Sequence, residues 1–238
     1  MHIPLSARLR VCCGFVHPGA RVADIGCDHG YLSIYLLQSG IASSVIASDV
    51  NEGPLQSAIR NAEKYGVREK ISFCLSDGVR NIPRDFDLLV CAGMGADTII
   101  SILDAAPWLK DSHYGLILQC QSKTPTLRQY LSETGWRITE ETVLRDGRFL
   151  YTVMQVQYQP EYPRLSIGEY YFPPALLENP AQELPEYYQR TVFSLRRAVT
   201  GRAGSADPLM VATLKELEAL AKTPELRWLK ESKHDYSK

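Results

Sequence analysis

The chain has 238 residues, 45% of them hydrophobic and 22% charged, with a formal net charge of -1. That composition excludes a largely disordered chain, and the length holds one full domain plus a small appendage, given domains of roughly 100 to 200 residues. The near-neutral charge gives no global attraction to a polyanion, so a nucleic acid would have to be held by local basic patches.

At the start of the chain Pro4, Ser6, Arg8 and Arg10 stand where an export signal needs an apolar core. No run in the chain approaches the roughly 18 apolar residues of a membrane span. The six cysteines (Cys12, Cys13, Cys27, Cys74, Cys91 and Cys120) show no C-x-x-C spacing and fall mainly in apolar segments. They read as buried thiols in a reducing compartment, so a cytoplasmic protein with no membrane partner is expected. Leu5, Leu9, Cys12 and Val16 at helical spacing predict an opening helix over 6–15, ended by Pro18-Gly19.

Val22, Ala23 and Ile25 fit a strand covered on both faces, and the chain then turns through Asp24-x-Gly26-x-Asp28-x-Gly30. Gly26 and Gly30 allow close backbone approach where a Cβ would collide. A G-x-G-x-x-G fingerprint counted from Gly26 needs glycines at 28 and 31, where this chain has Asp28 and Tyr31, so a diphosphate is disfavoured. An acidic residue in place of the phosphate-facing glycine suits a cofactor with cationic or hydroxyl groups. S-adenosyl-L-methionine carries a sulfonium, an ammonium and a ribose. The turn by itself equally fits an ordinary strand-to-helix connection.

A helix over 32–38 leads to a second strand over 44–48, closed by Asp49 nineteen residues beyond Gly30, where an α/β cofactor site needs a ribose acceptor. A helix over 54–65 follows, with Leu55, Ala58, Ile59 and Ala62 on one face. The third strand, 71–75, ends in Ser76-Asp77-Gly78, and the fourth, 86–92, in Gly93-Met94-Gly95. A fifth strand over 115–120 precedes a helix over 126–134. Strands over 136–144 and 149–157 flank Asp146-Gly147, a hairpin signal. The alternation predicts a Rossmann-like, doubly wound α/β sheet of seven strands, its candidate ligand residues on one rim.

From Gln159 onward Pro160, Pro163, Pro173, Pro174, Pro180 and Pro185 mark a linker. Tyr188, Val192, Leu195 and Val199, then Met210, Leu214, Leu217 and Ala221, form two helical stripes, the second opened by Asp207-Pro208. The reading is a C-terminal antiparallel helical hairpin, with residues 1–158 as one domain and 159–238 as a second. The stripes suit mutual packing, while Arg190, Arg196, Arg197 and Arg202 suit contacts with RNA.

These motifs resemble the bacterial TrmK family of tRNA adenine-N1 methyltransferases, over almost the whole chain. Leu5-Ser6-Ala7-Arg8-Leu9 is similar to the family's opening helix. Residues 23–32 match its signature Ala-Asp-Ile-Gly-(Ser/Cys)-Asp-His-(Ala/Gly)-Tyr-Leu, and Gly53-Pro54, Asp77-Gly78 and Ala92-Gly93-Met94-Gly95 match further turns. Two segments depart. Where the family continues Gly-Met-Gly-Gly, this chain has Gly95-Ala96-Asp97, and where the family reads Leu-Gln-Pro-Asn, it has Leu118-Gln119-Cys120-Gln121.

The resemblance implies S-adenosyl-L-methionine as cofactor and tRNA adenine 22 as substrate. It implies that Gly26 and Gly30 line the methionine part, that Asp49 accepts the ribose hydroxyls, and that Asp77 meets the adenine amino group beside Gly78. Asp24 then orients the turn or receives the ammonium, and Gly93, Met94 and Gly95 leave space for the base. For the transfer itself the candidates are Asp28, to favour a developing cation, His29, to hydrogen-bond the base, and Tyr31, to stack or orient. Each residue also has a plain structural use: solvated turn aspartates, a loop histidine and a helix-start tyrosine. Asp97 suits the N-terminal end of a helix. Arg8, Arg10, Lys123 and Arg128 are candidates for the tRNA body. No zinc arrangement is evident among the histidines and cysteines, so no metal is expected. Two other functions fit the same residues: a methyltransferase for a small molecule or another RNA, and a non-enzymatic RNA-binding module that retains the fold.

Overall fold

The computed structural model describes residues 3–201 and 207–231. Strands β1 (Ala20–Ile25), β2 (Ala42–Asp49), β3 (Ile71–Leu75), β4 (Leu88–Gly95) and β5 (Gly115–Ser122) are parallel. An antiparallel hairpin, β6 (Trp136–Asp146) and β7 (Phe149–Tyr158), completes one seven-stranded sheet in the order β3-β2-β1-β4-β5-β7-β6. The chain winds outward from β1 in one direction and from β4 in the other. The carboxyl ends of β1 and β4 are therefore the topological switch point, where such sheets open a crevice.

Alternate residues of the central strands enter opposite layers, which is why their sequences read as continuous apolar runs. Val22, Val45, Ala47 and Val90 pack under α1 (Ala7–Gly14), α2 (Tyr31–Gln38) and α3 (Glu52–Lys64). Ala23, Ile25, Ile46, Leu89 and Cys91 pack under α4 (Ala96–Asp104) and α5 (Thr124–Glu133). No helix among the described residues is long and apolar enough to cross a membrane.

Two local expectations change. Helix α3 starts at Glu52, ahead of Pro54, which is tolerated because first-turn N–H groups have no intrahelical acceptor. Gly93-Met94-Gly95 is the tail of β4 and not a turn after it. The pairing with β5 slips between Ala92 and Met94, around Gly93 at φ +83°, as a bulge.

After β7 the proline-rich stretch holds only the short α6 (Ala175–Glu178) before α7 (Leu184–Thr200) and α8 (Pro208–Leu220). Asp207 caps α8, its Oδ1 accepting the Leu209 N–H at 2.9 Å. The two helices pack together: the Tyr188 hydroxyl donates to the Leu217 carbonyl at 2.7 Å, and Arg196 pairs with Glu218 at 2.7 Å. Their loop at 202–206, with Arg202, lies outside the described residues. A short 3-10 segment, Pro224–Lys230, buries Leu229 against them and was not anticipated. Val143 of β6 belongs to the same apolar cluster as Tyr188, Val192, Leu195 and Leu217.

Arg128, expected at the rim, is instead wholly buried with Glu141 at 2.7 Å. All five of its N–H donors are used. Nε and Nη2 reach Glu141, Nη1 donates to the Tyr170 and Tyr171 carbonyls at 3.1 and 2.9 Å, and Nη2 also donates to the Tyr187 hydroxyl at 3.1 Å. This one guanidinium joins α5, β6, the linker and α7. Removing one member of such a buried pair strands the other charge. Arg128→Met should therefore lower the unfolding free energy by about 3–5 kcal/mol in urea titrations, and Arg128→Met/Glu141→Leu should recover much of that. A single variant as stable as the double would contradict this role.

Candidate active site

Asp49, the last residue of β2, organises the rim. Its Oδ2 accepts the Asp28 N–H at 3.1 Å and its Oδ1 accepts the Asn51 N–H at 2.9 Å. One carboxylate thus ties the turn after β1 to the turn after β2, and each oxygen keeps a further lone pair for a ligand. The same turns are stitched by backbone: Gly26 and Cys27 N–H donate to the Ser48 carbonyl at 2.8 and 2.9 Å, and Ser76 N–H to the Asp49 carbonyl at 2.9 Å.

Beside these turns lies a cavity of about 490 Å³. From the sequence-derived set it brings together Gly26, Asp49, Asp77, Gly78, Met94 and Asp97. Gly26 holds a left-handed φ of +71°, which side-chain-bearing residues rarely adopt, and the flexible tip of Met94 lies where its Cβ would be. Gly78, at φ +59°, faces Ile102, whose Cγ1 would stand 3.0 Å from a Cβ. Four lining residues were not picked out from the sequence: Val50, Thr98, Ser101 and Ile102. Val50, directly after the acidic strand end, is 61% exposed and offers apolar surface to a ligand in the cavity.

Other candidates stand outside the cavity lining. Gly30 is required by packing, since a Cβ there would lie 2.9 Å from that of Ala58 on α3. Asp24 is buried beneath the turn, where it accepts the Ser33 hydroxyl at 2.6 Å and also the Ser33 N–H, and so caps α2. Burial pushes its carboxyl up to about 6, with the nearby Asp49 charge adding to the rise and the Ser33 hydrogen bonds opposing it.

Asp28 holds a left-handed φ of +51°. Its carboxylate is exposed, 3.7 Å from His29 Nε2. The His29 carbonyl is anchored by Asn61 Nδ2 at 2.9 Å, and its ring lies 5.9 Å from that of Tyr31. Tyr31 opens α2 and packs half-buried against the first core layer.

At the end of β5, the Oε1 of buried Gln119 accepts the Gly93 N–H at 3.0 Å and Arg8 Nη1–H at 3.4 Å. Arg8 also pairs with Asp146 at 2.8 Å and lies 4.9 Å over the Tyr151 ring, so it serves the interior of the rim. Arg10 lies 5.7 Å from the Tyr35 ring. Gly95 faces the Ser122 hydroxyl, 3.1 Å from where a Cβ would be. Asp97 sits in the first turn of α4, where a negative charge is favourable, and pairs with Lys123 at 2.6 Å.

The cavity fits a cationic, hydroxyl-bearing cofactor. Asp49, Asp77 and Asp97 face it, and no described lining residue is a cation. Arg80 meets Asp77, and Lys123 meets Asp97, from outside. Val50 and Ile102 supply apolar surface for a planar ring, and the volume suits a small molecule.

A family model described as a methyltransferase domain matches residues 5–154. The chain is 33% identical over 153 residues to the Bacillus subtilis tRNA (adenine(22)-N(1))-methyltransferase; the match covers 64% of this chain and spans 64% of that relative's length. Among solved structures, Streptococcus pneumoniae Sp1610 in complex with S-adenosyl-L-methionine is 30% identical with a TM-score of 0.78, covering 90% of this chain and 98% of that one. The Bacillus subtilis m1A22 tRNA methyltransferase TrmK is 27% identical with a TM-score of 0.76, covering 97% and 99%.

The state of Asp24 can be read from stability. Its carboxyl titrates higher folded than unfolded, so its favourable contribution is complete below about pH 4 and is lost as pH rises through about 6. Asp24→Asn should match the parent near pH 4 and exceed it by about 2–3 kcal/mol at pH 8 in urea titrations. A difference independent of pH would contradict a buried carboxylate only partly compensated by Ser33.

Proposed function

The chain belongs to the methyltransferase-domain family, and from that membership we propose that it transfers the methyl group of S-adenosyl-L-methionine to N1 of adenine 22 in a transfer RNA. The observation that carries this reading is the acidic cavity at the switch point, with the Asp28-His29 turn pinned beside it by Asp49. The cofactor in the Sp1610 structure and the names of the two Bacillus subtilis proteins support the cofactor and the substrate.

When bound, S-adenosyl-L-methionine supplies an electrophilic methyl group on a sulfonium. Asp49 accepts the ribose hydroxyls with its remaining lone pairs, Asp77 accepts from the adenine amino group, and Val50 and Ile102 flank the ring. Gly26 and Met94 bound the methionine side, with Gly30 shaping the turn before α2, Gly93 and Gly95 the bulged end of β4, and Asp24 fixing α2 from below.

Adenine N1 lies on the Watson-Crick edge, so the acceptor base has to be unpaired or turned out. Its ring nitrogen attacks as a neutral lone pair, and the new N–C bond leaves positive charge on the base. The protein's work is positioning and stabilising that charge, with no strong base needed. In this reading the Asp28 carboxylate favours the cation, His29 hydrogen-bonds the base, and Tyr31 orients His29. Residues 1–158 carry the transfer, residues 159–238 add RNA contacts through Arg190, Arg196 and Arg197, and the setting is the cytoplasm.

The purified chain, S-adenosyl-L-methionine and bacterial tRNA should yield N1-methyladenosine on nucleoside analysis; cofactor binding without that product would contradict the proposal. Asp49→Ala should weaken cofactor binding roughly tenfold or more, as expected for lost hydrogen bonds to a charged group. Asp28→Asn and His29→Ala should lower kcat roughly tenfold or more while cofactor Kd, measured by calorimetry, stays within about twofold. Equal losses of both would assign these two residues to cofactor binding instead.

A further inference from the structure

A second hollow, about 510 Å³, runs between the turn after β5 and helix α7. Its lining includes Lys123 and Arg190 and no described carboxylate, the reverse of the cavity with Asp49, Asp77 and Asp97. The two hollows meet at one ion pair, in which Lys123 belongs to the groove and Asp97 to the cavity. Gln121 lines the groove and also approaches Gly93, its Nε2 lying 3.4 Å from where a Cβ would be, so the groove adjoins the end of β4.

Phe149, the first residue of β7, lies in this groove and is 50% exposed. The Arg148 guanidinium lies 4.9 Å from its ring centroid, and Arg190, held by Glu186 at 2.8 Å, borders the same hollow. An exposed phenylalanine alone is unremarkable. Set among cations, next to an acidic cavity, it has the makeup of a stacking platform for a nucleobase with its phosphate nearby, a pairing that tolerates any base because every base has a π face.

We propose that this groove seats the RNA strand adjoining the methylated adenine, with a neighbouring base stacked on Phe149 and its phosphate drawn to Lys123. The inference rests on the transfer to RNA proposed above and adds a substrate subsite to it. Charge separates the two ligands: the cationic cofactor goes to the carboxylate-lined cavity and the polyanion to the cation-lined groove. The Asp97–Lys123 pair is exposed on both sides, and such pairs contribute little, so a phosphate readily takes the place of Asp97.

The test is steady-state methyl transfer with tRNA as the varied substrate. Phe149→Ala should raise KM for tRNA about tenfold with kcat within about twofold, and Phe149→Trp should return KM to within about threefold of the parent. Tyr162→Ala, which removes another exposed aromatic outside this groove, should leave KM unchanged. A parent enzyme that methylates tRNA while Phe149→Ala keeps its KM overturns the subsite alone. A parent enzyme that transfers no methyl group to tRNA overturns the proposed function and the subsite together.

Discussion

The carboxylate of Asp49 is the constraint on which the rim depends. It closes β2, accepts one N–H from the turn after β1 and one from the turn after its own strand, and borders the cavity with what acceptor capacity is left. Backbone N–H groups in partly buried turns need acceptors, and a carboxylate supplies them with stronger hydrogen bonds than a neutral group does. The left-handed Asp28 is held in part by this bond, while the His29 carbonyl is held by Asn61 and Tyr31 by packing against the core. A residue at 49 with no side-chain acceptor would leave the crevice without its frame as well as without its ligand acceptor.

Around that frame the protein sorts charge by place. Carboxylates gather at the switch point, cations gather at the turn after β5 and on α7, and the Asp97–Lys123 ion pair marks the boundary. A groove made by two separate parts of the chain keeps its width only if those parts are held together. Arg128, with every donor satisfied, and the cluster shared by Val143 with Leu195 and Leu217 do this. The C-terminal helices are therefore built into the sheet's far edge, and cutting the chain after β7 would bare the Arg128–Glu141 pair. Point substitutions probe the proposed RNA surface more cleanly than truncation.

Much of this was legible in the chain itself because the signals are local. The apolar run of β1, its break at Gly26, and Asp49 at the end of β2 each follow from strand burial and strand length, and together they put the ligand residues on one rim. The Asp207 cap and the stripes of α7 and α8 are equally local. What escaped is tertiary. Arg128 reads as an ordinary helix cation until β6, the linker and α7 close over it. Val50 and Ile102 come from different elements, and no spacing connects them. Gly30 looks like a ligand-facing glycine, but its missing Cβ makes room for Ala58, twenty-eight residues onward. The bulge at Gly93 depends on pairing with β5, which no pattern within β4 announces.

The most direct measurement is a crystal structure of the chain with S-adenosyl-L-homocysteine, the demethylated cofactor. The account predicts its ribose on Asp49, with the Asp28 N–H still bound to the same carboxylate, and its adenine between Val50 and Ile102 beside Asp77. A ligand seated in the cation-lined groove, or an Asp49 side chain released from Asp28 and turned to solvent, would contradict it.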